Sequence, residues 1–218
     1  MKRQWLLILT GLYCGISVMM NYLCMKPLSF GTSFVWMDGG LLISWIVFLI
    51  SNVLTEVYGK RTAMTVTGVA TIATLSMSLI ALGEVYIPTL DVYAEQANHF
   101  AYVFSNGPRT IIASAIAFFV SNMVNVNIIA GMKRCASERH PALAFVTRAI
   151  LSTIVGQLVD NTLFQTLAFA PIGLSLYEMR WYDIATAIVC STGFETIVES
   201  CFIPLVTLPL SNYLNKLE

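Results

Sequence analysis

Residues 148–172 read RAILSTIVGQLVDNTLFQTLAFAPI. Between Arg148 and Ile172 there is one ionisable side chain, Asp160. A helix rises about 1.5 Å per residue, so the stretch reaches roughly 37 Å, enough to cross a ~30 Å hydrocarbon core. It reads as a transmembrane helix that carries one costly charge. Working outward, five more apolar segments appear at 4–25, 39–59, 62–84, 109–132 and 183–210. The first follows Lys2 and Arg3 as a signal peptide would, but its run is long and no small-residue cleavage site closes it, so a retained helix is expected. Spans two and three are joined only by Gly59, Lys60 and Arg61, which forces an antiparallel pair. Pro204 and Pro209 predict a break near the end of the last span.

The composition agrees. Of 218 residues, 57% are hydrophobic and 11% are charged, less than half of the ~25% typical of soluble chains. Six spans with their loops use up the length, so one transmembrane domain over residues 1–218 is expected, all-α, with no separate soluble unit. A kinase, a nucleic-acid binder and a disulfide-stapled secreted scaffold are excluded. The five cysteines are odd in number and form no C-x-x-C, so they read as small buried side chains. His99 and His140 fall on opposite sides of the membrane and cannot share a metal. No cofactor is called for.

Charge placement gives orientation. With the N-terminus inside, the inner side holds Lys2, Arg3, Lys60, Arg61, Lys133, Arg134, Arg139, Arg148 and Lys216, against Lys26, Arg109 and Arg180 outside. This bias places both termini in the cytoplasm. Residues 84–108, with Tyr86, Tyr93, Phe100, Tyr102 and Phe104 among acids and amides, then form an outer segment between spans three and four, read as a short interfacial helix.

Ionisable groups within spans point to function. Glu56, Asp160, Glu195 and Glu199 qualify. Arg109 and Arg148 are expected at span starts, so no base is expected deep enough to pair with these acids. Unpaired acids must be protonated, reach water or face a ligand rich in hydrogen-bond donors. An anionic substrate is excluded. The amides keep company with the acids at helical spacing: Asn52 with Glu56, Asn122 with Asn125, Gln157 with Asp160 and Asn161, and Glu195 with Glu199. Single amides commonly glue helices together, but four aligned patches predict a central binding cavity. Thr153 and Thr166 are expected to bond their own backbones.

At these patches the sequence resembles the queuosine precursor transporter family, also called the vitamin uptake transporter family. Ser51-Asn52-Val53-Leu54-Thr55-Glu56-Val57-Tyr58-Gly59-Lys60-Arg61 is similar to its D-x-x-x-E-x-Y-G-x-K/R block. Span four opens with Phe104-Ser105-Asn106-Gly107-Pro108-Arg109. Ser152-Thr153-Ile154-Val155-Gly156-Gln157-Leu158-Val159-Asp160-Asn161-Thr162-Leu163-Phe164 resembles its S-T-x-x-G-Q-x-x-D-T-x-x-F block. The chain departs from the pattern at Asn52 and Asn125, where aspartates are expected, and at Asn161, which intrudes before Thr162. Each aspartate-to-asparagine change removes a charge, keeps an acceptor and adds donors.

The resemblance implies a multi-pass transporter of the bacterial inner membrane that imports a 7-deazaguanine, namely the 7-cyano or 7-aminomethyl base or queuine, for tRNA-modification salvage. Its substrate-binding residues are then Asn52, Glu56, Asn122, Asn125, Gln157, Asp160, Asn161, Glu195 and Glu199. A carboxylate would take the base's N1–H and 2-amino donors, an amide would donate to O6, and Trp45, Phe119 or Phe164 would stack on the ring. The other class of function is a substrate-binding S-type subunit of an ATP-driven uptake system, whose partner would dock on the small-residue face at Gly11 and Gly15. A homodimer would use the same face. An intramembrane enzyme lacks support: there is no H-E-x-x-H and no G-x-S-x-G.

Overall fold

The computed structural model describes residues 1–24, 26–28, 37–104, 108–135, 141–172 and 178–217. Met25, Ser105 to Gly107 of the span-four motif, Arg139 and His140 lie outside the described residues. The chain is all-helical in architecture: α1 (Lys2–Leu23), α2 (Leu41–Tyr58), α3 (Lys60–Val85), α4 (Ala94–Phe104), α5 (Pro108–Cys135), α6 (Pro141–Phe169), α7 (Trp181–Phe202) and α8 (Leu208–Asn215). Among the described residues, six helical segments are long and apolar enough to cross a membrane, the last running from α7 through α8. The protein is a multi-pass membrane protein.

Local chemistry sets the boundaries. Gly59 alone links α2 to α3 with φ of 83°, a conformation that side chains with a Cβ rarely adopt. Pro108 and Pro141 start α5 and α6, where a missing N–H costs nothing. The break foreseen near Pro204 is a π-helical stretch, Ile203–Thr207, joining α7 to α8. Proline has no N–H to give the preceding turn, and the helix widens around the gap. Arg109 explains the Pro-Arg pair of span four. Its Nε and Nη2 donate to the carbonyls of Leu167 (2.6 Å) and Ala170 (2.9 Å), which satisfies the end of α6 and ties α5 to it.

Helix α2 is the axis of the bundle. It packs on α1, α3, α5, α7 and α8, and ten of its residues are buried. The main core joins Leu9 and Tyr13 of α1, Val47, Val53 and Leu54 of α2, Val66 and Ala70 of α3, and Phe118 and Val126 of α5. Helices α5 and α6 form the most extensive pair. Gly156 lets them close: a Cβ there would lie 2.8 Å from Phe48 Cε1 and 3.2 Å from Asn125 Cβ. Leu7, Ile8, Leu12, Ile72, Leu79, Ile80, Val189 and Ile197 face outward, as a lipid-facing surface requires. The short interfacial element between spans three and four is α4, which packs on α3, with Phe104 against Tyr22 at a centroid distance of 4.8 Å.

Candidate functional site: an acidic cavity

A partly open cavity lies between α1, α2, α5, α6 and α7, in the half of the bundle away from Lys60, Arg61 and Lys133. Its walls carry three acids: Asp38, Asp160 and Glu195. Among the described residues, Lys, Arg and His are absent from the lining. Asn21, Ser44, Ser114 and Asn161 add polar groups, and Phe118 and Phe164 add apolar faces.

Each acid is held by neutral donors. Ser121 Oγ donates to Asp160 Oδ1 at 2.7 Å. Asn161 Nδ2 donates to Glu195 Oε2 at 2.8 Å, and Ser44 Oγ donates to Glu195 Oε1. Asp38 sits on the turn that enters α2, steadied by a two-residue antiparallel pairing of Pro27–Leu28 with Met37–Asp38. The Gly40 N–H donates to its Oδ1 at 2.9 Å. Burial pushes the Asp38 carboxyl up to about 6, opposed by the Gly40 and Leu41 amides and reinforced by Asp160.

Below the cavity, Gln157 Nε2 donates to Glu199 Oε1. Both residues are fully buried. A separate amide layer follows. Asn125 Nδ2 donates to Asn52 Oδ1 at 3.0 Å, and Asn52 Nδ2 donates to Thr153 Oγ1 at 3.3 Å. The Tyr13 hydroxyl donates to Asn122 Oδ1 at 2.8 Å and lies 3.1 Å from Thr67 Oγ1. These bonds join α1, α2, α3, α5 and α6, the work that polar groups perform between membrane helices. Thr153 thus pairs across helices, whereas the sequence suggested its own backbone.

Glu56 is at the basic end, and here one expectation is corrected. Arg148 Nη2 lies 3.3 Å from Glu56 Oε2, and Lys133 Nζ lies 3.1 Å from Oε1. Arg148 is not at a span start. Helix α6 begins at Pro141, two turns earlier, and Arg148 is buried. One of the four acids therefore has two basic partners.

Of the nine residues singled out from sequence, Asp160, Asn161 and Glu195 line the cavity. Gln157 and Glu199 lie directly beneath it, Asn52, Asn122 and Asn125 form the amide layer, and Glu56 closes the basic end. Among the aromatics, Phe164 lines the cavity, Trp45 packs on Phe202, and Phe119 faces outward beside the lining Phe118. Sequence reasoning passed over Asp38, Asn21, Ser44 and Ser114. Asp38 had a signal, an acid followed by two glycines at the mouth of a span. The hydroxyls had none.

No curated protein and no solved structure gives a significant match. A family model described as "Putative vitamin uptake transporter" matches residues 38–208. That segment runs from the cavity's Asp38 to the first residue of α8, and the chain belongs to the vitamin uptake transporter family.

Proposed function

We propose that this protein imports a 7-deazaguanine queuosine precursor across a bacterial inner membrane, with the basic end in the cytoplasm. A transporter of that family needs no catalytic residues, and we read it as a non-enzyme. The observation that carries the substrate class is a cavity lined, among the described residues, by three carboxylates and no cation. Such a wall repels anions and suits a ligand rich in N–H donors or carrying positive charge. A guanine-like edge presents N1–H and the 2-amino group in parallel, matching one carboxylate bidentately. Asp160 is the residue for this, because both Glu195 oxygens already accept bonds from Ser44 and Asn161. Asp38 offers a second carboxylate for an aminomethyl substituent. Phe118 and Phe164 flank the ring.

The test is binding by the purified protein of queuine, the 7-cyano base, the 7-aminomethyl base and guanine. Saturable binding of a 7-substituted base in preference to guanine is expected, and absence of binding to all four refutes the substrate class. The S-type subunit reading and a homodimer would use one and the same face. The α1 face at Gly11 and Gly15 has nothing within 4 Å of either glycine's Cβ position, leaving room for another helix. Uptake by the chain alone in liposomes would exclude a required energising partner. For orientation, in a cysteine-free variant a cysteine at Asn98 should be labelled from outside and one at Ser137, which lies outside the described residues, only from inside.

A further inference from the structure

Glu199 lies outside the cavity wall, yet it is connected to it. It sits one turn beyond Glu195 on α7, about 6 Å along the axis. A chain of bonds leads there: Asn161 Nδ2 donates to Glu195 Oε2 and to the Gln157 backbone carbonyl, and Gln157 Nε2 donates to Glu199 Oε1. Glu199 Oε2 and Gln157 Oε1 are both buried and have no hydrogen-bond partner among the described residues. The pair therefore holds two unpartnered acceptor oxygens, and one of the two Gln157 Nε2 hydrogens is already given to Glu199. A buried charge with an unmatched oxygen is among the costliest arrangements in a protein, and a proton on the carboxyl removes that charge.

Among the described residues no unpaired cation packs against Glu199, and the Thr153 hydroxyl is the other group able to donate to it. Helices α2 and α6, the π stretch and the Asp38 strand pack against α7. Their ionisable side chains are Glu56 and Tyr58 on α2, Arg148 and Asp160 on α6, and Asp38. Arg148 is engaged with Glu56, and Asp38 and Asp160 belong to the cavity. Thr153, one turn before Gln157 on α6, is a further polar neighbour. Glu195 on α7 itself is the adjacent acid. Toward the basic end, Thr207 of the π stretch and Ser211 of α8 are buried hydroxyls without partners among the described residues. Such groups are what ordered water would bridge.

We propose that Glu199, held by Gln157 beneath the cavity, is a proton-binding site, and that entry of the base is coupled to a proton carried on this carboxyl. In the cycle, a proton from solvent on the cavity side forms an O–H bond on the Glu199 carboxylate. That bond breaks when the proton passes to water at the basic end, and the carboxylate is restored. The coupling rests on the transport reading above, whereas the proton site does not.

The probe is the 7-cyano base, which is uncharged, so a current that moves with it comes from a coupled ion, and its dependence on outside pH in sodium-free medium identifies that ion as a proton. Wild-type proteoliposomes should give an inward positive current on addition of this base, larger when the outside is more acidic. Glu199→Gln keeps the acceptor for Gln157, so it should still bind the base while losing the current. Uptake of labelled base by wild type without current, or an unchanged current in E199Q, overturns the coupling. Infrared difference spectroscopy tests the proton site without ligand. The carbonyl band of a protonated carboxyl should be present in wild type at neutral pH and missing from E199Q, and identical spectra overturn the site. If wild type neither binds nor takes up any of the four bases, the substrate reading has failed, and the infrared result still decides the proton site.

Discussion

Replacing Asp160 by asparagine should separate recognition from folding. Ser121 Oγ donates to Asp160 Oδ1 at 2.7 Å, and Oδ2 has no hydrogen-bond partner among the described residues while the side chain lines the cavity. An asparagine keeps the Ser121 bond by turning its carbonyl oxygen to the hydroxyl. Its NH2 then takes the place of the free carboxylate oxygen, so a donor faces the ligand's own donors. One charge-assisted bond is lost, worth about 1.5–3 kcal/mol, or about 10- to 100-fold in affinity. The thermal midpoint should hardly move, since the volume and the Ser121 bond are kept. Calorimetric titration with the tightest-binding base, next to a thermal scan of both proteins, measures the two effects. Wild-type affinity in Asp160→Asn would refute the role of this carboxylate, and a large fall in midpoint would show that it serves packing.

The two bases on Glu56 should prove unequal. The Arg148 side chain is 8% exposed and that of Lys133 is 47%, so Arg148→Gln should destabilise by about 3 kcal/mol as a broken buried pair. Lys133→Gln should cost at most ~1 kcal/mol, and Glu56→Gln combined with Arg148→Gln should recover much of the loss; equal effects in thermal scans would contradict this. Gly156→Ala should destabilise the protein by about 1–3 kcal/mol through overpacking against Phe48 and Asn125, and an unchanged midpoint would show that the interface yields. Asp38 should impose a pH dependence. Its carboxyl ionises near 6 in the folded protein, above its ordinary value. Its contribution to stability is therefore full below about pH 4 and lost as pH rises to about 6. Over the same rise it becomes an acceptor, so a cationic base should bind more tightly at pH 7 than at pH 5, and Asp38→Asn should flatten that trend.

The number and type of spans were legible in the chain itself. Exclusion of polar groups from lipid is a condition that each window of about 20 residues meets or fails alone. Residues 148–172 meet it whatever surrounds them. Helical spacing likewise revealed which polar residues share a face, because that follows from 3.6 residues per turn. What each face meets depends on the rotation and axial offset of the neighbouring helix, which packing sets. Asn52 and Asn125 could be read as polar residues on helix faces, but that they bond to each other is visible only in the packed structure. Glu56 looked unpaired because Lys133 and Arg148 are 77 and 92 residues away along the chain, and because α6 starts two turns earlier than hydropathy indicated. Asp38 and Ser44 were invisible as site residues, since an acid on a turn and a serine in an apolar helix have no chemistry to show until α7 brings Glu195 against them. The tertiary structure alone divided the acids, because whether a buried carboxylate faces a guanidinium, an amide or an empty cavity is fixed by the helix packed opposite it.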